Sequence, residues 1–98
     1  MKAGHGEDDP AHRLRVVAYV DAAAEWIEGL PGPDSEAVAR HLYGRTARQP
    51  RAALSVEPGV FHTFVPVARG KLRGFRIDYS ITELAVVVLG GRPLYRQG

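Results

Sequence analysis

The chain has 98 residues, 45% of them apolar and 8% aromatic, enough for one small domain with one modest core. It has no cysteine, which excludes disulfides and thiolate metal sites and is natural for a protein of the reducing cytoplasm. The net charge of +2 hides an asymmetry: residues 1–39 carry three Lys/Arg against eight Asp/Glu, residues 40–98 ten against three, and 11 of the 13 basic residues are arginine. A basic, arginine-rich half suits a polyanion or an acidic protein partner, because the guanidinium fork binds phosphate and carboxylate in bidentate fashion.

Residues 1–11 read as a disordered acidic tail and residues 12–98 as a single domain. The polar start lacks the basic-then-apolar order of a signal peptide, and no run of 18 apolar residues is present to span a membrane. Residues 10–30 admit two readings. In one they form a single helix capped by Asp9, with Pro10 at its first position. In the other, Leu14 to Val20 is a strand and Asp21 caps a short helix, Ala22 to Glu28. The cluster Val16, Val17, Tyr19 and Val20 favours the split. Leu30 to Asp34 is a turn by its Pro and Gly density. Asp34 or Ser35 then caps a second helix, whose inner face carries Val38, Leu42 and His41, and which Pro50 ends.

Val56 to Gly59 reads as a loop. Val60 to Ala68 alternates like a strand, and Pro66 places it at an edge, because proline cannot donate to the ladder. Arg69-Gly70-Lys71 makes a hairpin connection. In the strand Leu72 to Ile81, Phe75, Ile77 and Tyr79 share an apolar face with Arg73, while Leu72, Gly74, Arg76 and Asp78 share the polar one. Thr82-Glu83 is a turn. Leu84 to Leu89 is apolar throughout, the pattern of a strand covered on both faces, and Gly90-Gly91 stops it. The order β-α-α-β-β-β gives an α+β domain with two helices packed on one face of an antiparallel sheet.

Three segments carry a resemblance to a known family. "VVAYVDAAAEWIEGL", "SEAVARHLYGRTARQP" and "KLRGFRIDYSITELAVVVLGGR" are similar to the opening strand and helix, the second helix and the paired strands of RelE/ParE-type toxins from bacterial toxin–antitoxin systems. The resemblance covers about residues 14–96. It implies a toxin held by a cognate antitoxin, which acts on messenger RNA at the ribosome in the RelE branch or on gyrase in the ParE branch.

For the RNase branch it implies a metal-independent, cofactor-free endoribonuclease. Arg76 corresponds to the strand arginine at the scissile phosphate, Arg92 to the basic residue after the last strand, and Tyr95 to a C-terminal aromatic that stacks on a base. His62 is a candidate acid–base group if it shares the Arg76 face. Arg69, Lys71, Arg73, Arg48, Arg51 and Arg96 are candidate RNA-binding residues. His5, His12 and His41 lack the i, i+3 or i, i+4 spacing of a metal pair.

Two other readings compete with that one. A winged-helix DNA-binding module would place a recognition helix over Arg45 to Leu54 and a wing at Arg69 to Arg73. It requires a continuous helix across 46–55 and no strand at 14–20. A non-catalytic domain of the toxin fold would bind a protein partner alone.

Overall fold

The computed structural model describes residues 15–52 and 54–97. The acidic tail lies outside them. Strand β1 (Val16–Tyr19) is followed by helices α1 (Asp21–Glu28) and α2 (Gly32–His41), then by β2 (Leu54–Glu57), β3 (Val60–Arg69), β4 (Leu72–Ile81) and β5 (Ala85–Tyr95). One sheet holds all five strands in the order β1-β5-β4-β3-β2. β2 to β5 are antiparallel, and β1 adds to β5 in parallel, Val16 opposite Ala85 and Tyr19 opposite Val88.

Residues 10–30 are thus not one helix: the β-branched run is a strand. α1 begins at Asp21 behind an extended Val20, and Asp21 is a first-turn carboxylate facing the helix dipole rather than the cap. α2 begins two residues before Asp34, with Pro31 at its N-cap position and Pro33 in its first turn, where a missing N–H costs nothing. A π-helical turn, Leu42–Thr46, extends α2, and Pro50–Ala52 form a single 3-10 turn. Residues 46–55 therefore hold turns and the start of β2, and β1 occupies the first proposed helix. Both findings remove the winged-helix arrangement. β2 falls partly on the expected loop at Val56 to Gly59.

Both helices lie on one face of the sheet. Their Ala23, Val38 and Leu42 meet Val65, Phe75, Ile77 and Val88 from the strands in one buried cluster. Trp26 meets Phe75 edge to face at 5.7 Å between ring centres. Tyr79 is buried against Phe61 and donates its hydroxyl hydrogen to the Pro50 carbonyl at 2.6 Å. That bond fixes the segment beyond α2 to the centre of the sheet, and burial pushes the phenol up to about 12.

Two bulges decide what the other face carries. Leu72 opposes Tyr95 and Gly74 opposes Leu94, so Arg73 is the extra residue in β4. Leu72 consequently turns into the core, and Arg73 moves to the face it was expected to oppose. Gly74, at φ 157°, permits this, and its missing side chain leaves room for the Phe64 ring. In β5, Asp78 opposes Gly90 and Tyr79 opposes Val88, leaving Leu89 as the extra residue. β5 does not stop at Gly90-Gly91 but runs on to Tyr95, whereas Leu84 is outside it and exposed.

Candidate nucleic-acid interface

The face of the sheet away from the helices carries Arg73, Arg76, Arg92 and His62. Directly opposed strand residues share a face, so the register fixes its rows. His62, Asp78 and Gly90 form one row across β3, β4 and β5, and Phe64, Arg76 and Arg92 form the next. Arg76, Arg92 and His62 are therefore on one face, which meets the condition set for His62.

Glu57, Val60, Arg76, Asp78, Leu89, Gly90 and Arg92 line a shallow depression there. Gly90 opens its floor, since a Cβ at that position would meet no atom within 4 Å. Arg76 is half-buried and donates Nε–H to Asp78 Oδ1 at 2.9 Å. The end-on edge of its guanidinium is the one that this bond leaves free. Arg92 stands opposite Arg76, and among the described residues no carboxylate lies within 4 Å of it. Two like charges opposed across a ladder destabilise a sheet. Asp78 offsets one of them, and a bound anion would offset the other.

The remaining expected residues fall elsewhere. Tyr95 opposes Leu72 and lies on the helix side, where it lines a groove of mixed character with Trp26, Leu30, Phe75, Pro93 and the Asp34–Arg69 pair. It is 60% exposed but on the opposite side of the sheet from Arg76. Lys71 lines the same groove. Arg69 is taken up by a bidentate ion pair, its two terminal nitrogens at 2.6 and 2.7 Å from the buried Asp34 carboxylate. The Arg69 bonds hold that carboxyl below its usual range. Arg69 therefore ties the hairpin to α2. Arg73 and Arg96 line a second depression around Phe64. Arg48 and Arg51 are exposed on the segment between α2 and β2 and do not line the Arg76 depression.

Three residues of this region carry no sequence signal that points to it. Glu57 was read as loop, and it enters the site because β2 pairs with β3. In the sequence Asp78 stands out only as a neighbour of Arg76 on the polar face of its strand. Phe64 was read as an alternating strand residue, although its place in the Arg76 row follows from pairing β3 with β4 about the Gly70 turn. His62 Nδ1 is buried and has no hydrogen-bond partner among the described residues. Among the described residues no group of three or more His, Asp or Glu could hold a metal ion, and no helix is long and apolar enough to cross a membrane.

No family model matches the chain, and no curated protein does. Solved structures do. A chain of the RelBE2 toxin–antitoxin complex from Mycobacterium tuberculosis superposes with a TM-score of 0.61 and 26% identity, over 82% of this chain and 91% of that one. A chain of the intact RelBE toxin–antitoxin complex from E. coli superposes with a TM-score of 0.62 and 16% identity, over 86% and 98%. The chain is thus RelE-like in fold, as the three sequence segments imply.

Proposed function

We propose that this chain is the toxin of a toxin–antitoxin pair and that it cleaves messenger RNA on the ribosome with the open face of its sheet. The observation that carries the reading is the opposition of Arg76 and Arg92 across β4 and β5, on the one face that the helices leave uncovered. The likeness to chains of two toxin–antitoxin complexes supports the biological role, with a cognate antitoxin as partner.

The chemistry uses groups present in the chain. A ribose 2′-hydroxyl attacks the adjacent phosphorus, and the bond to the 5′ oxygen of the next nucleotide breaks. The products are a 2′,3′-cyclic phosphate and a free 5′-hydroxyl. Charge accumulates on the non-bridging oxygens, where Arg76 and Arg92 would stabilise it. The Glu57 carboxylate lines the same depression and would take the 2′-hydroxyl proton. His62, one row away, would return a proton to the leaving oxygen.

The test is primer extension on a defined messenger RNA in a translation extract with purified chain. Cuts by the parent, lost in Arg76→Ala and reduced at least ~100-fold in E57Q, support the assignment, since a proton-transfer group contributes on the order of 100- to 10,000-fold. An intact message with well-folded parent protein would overturn the ribonuclease reading. Relaxation assays with gyrase would then become the next measurement.

A further inference from the structure

Tyr95 stands on the wrong side of the sheet to stack on a base held at Arg76, yet the Arg76 face does carry an aromatic ring. Phe64 is directly opposite Arg76 and remains 39% exposed. Its edge rests over Gly74, whose added Cβ would come within 2.7 and 2.8 Å of the ring atoms Cζ and Cε1. The bulge at Arg73 brings that guanidinium over the ring, 5.9 Å from its centre. A depression lined by Phe64, Arg73 and Arg96 adjoins it.

An exposed ring with arginines beside it is the arrangement that single-stranded nucleic acid uses: base on ring, phosphate on guanidinium. We propose that Phe64 is the base-stacking platform of this chain and takes an unpaired nucleotide next to the phosphate held by Arg76 and Arg92. The inference rests on the nucleic-acid reading of the open face. Covering Gly74 explains why an aromatic is tolerated there. It does not explain an arginine held over the ring on the basic side of the sheet.

The experiment measures binding of the purified full chain to a single-stranded 2′-O-methyl oligoribonucleotide, which cannot be cut, and to an abasic oligomer of the same length. The parent should prefer the oligomer with bases. F64L keeps an apolar side chain over Gly74. It should lose about fivefold or more on that oligomer, the lower end of base–aromatic stacking, and be unchanged on the abasic one. F64W should match or exceed the parent, which decides the matter if F64L fails to fold.

Equal parental affinity for the two oligomers would overturn the platform and leave the basic face as a phosphate binder. So would a preference that survives F64L or is lost in Y95L instead. Failure of the parent to bind either oligomer would overturn the nucleic-acid reading itself, and the platform with it.

Discussion

Arg76 and Asp78 are two apart on one strand, so their side chains emerge on the same face within reach of each other. The bond from Nε to the carboxylate fixes the guanidinium in one orientation and leaves its end-on edge for an anion. Asp78 is in this account a positioning residue. D78N removes a negative charge from the depression and loosens Arg76 together. Steady-state cleavage kinetics should show KM unchanged or lower and kcat reduced by up to about 100-fold, the scale on which misplacing a reacting or stabilising group by an ångström acts. A rise in KM with kcat intact would mean that Asp78 serves binding alone.

His41 belongs to the fold rather than the site: its Nε2 lies 2.9 Å from Thr63 Oγ1, and burial, then Arg45, lower its pKa below the ordinary 6.5. The folded protein therefore binds fewer protons there than the unfolded chain does. Stability should fall as pH drops through about 6.5. Urea midpoints at pH 7.5 and 5.5 should differ less in H41Q than in the parent. Alternation puts Arg76 on the polar face of β4, and pairing about the Gly70 turn brings His62 to it; Arg92 enters through the family resemblance alone, since Gly90-Gly91 read as the end of the last strand. The side taken by Tyr95 was not legible, because the one-residue bulge at Arg73 reverses which face Leu72 shares, and Tyr95 opposes Leu72.

Among the elements, β5 departs most from its sequence pattern. Two adjacent glycines read as a stop, but the strand continues through both, and the reason is packing. A Cβ on Gly91 would overlap the Trp26 ring and approach Ile77 Cδ1 to 3.0 Å. Gly91 leaves room for the Trp26 ring against the sheet, and Gly90 opens the depression beside Arg92. G91A should destabilise the protein by about 1–3 kcal/mol, the usual cost of overpacking, read as a lowered urea midpoint with unchanged slope. A neutral result would show that α1 can shift away from β5 without loss. β2 was missed for a different reason. It has four residues, interrupted by a register shift between Ser55 and Glu57, and too little alternation to announce a strand. The longer strands β3 and β4, with ten residues each, were legible because their pattern persists.

At the scale of the molecule, the helices close one side of the sheet and leave the other to water, and Arg73, Arg76 and Arg92 emerge on the side left open. Two ties hold the layers in register, Arg69 to Asp34 and Tyr79 to the Pro50 carbonyl. Y79F leaves that buried carbonyl without its donor and should cost about 1–3 kcal/mol, seen in thermal or urea unfolding, with the Arg76 face intact. The α+β class and the helix-against-sheet layering could be read from periodicity. The charge asymmetry could be counted in the sequence, but which face it falls on depends on strand register, and register depends on two bulges that no periodicity announces.

The central claim is that the opposed arginines on the open face make this chain a toxin. The most direct measurement is growth of a bacterial host after tightly controlled induction of the parent and of a variant carrying Arg76→Ala and Arg92→Ala, with folding of both confirmed by unfolding curves. The account predicts arrest by the parent and normal growth with the variant, whose fold should survive because both side chains leave the core untouched. Arrest by a folded double variant, or growth unaffected by abundant folded parent, would contradict it.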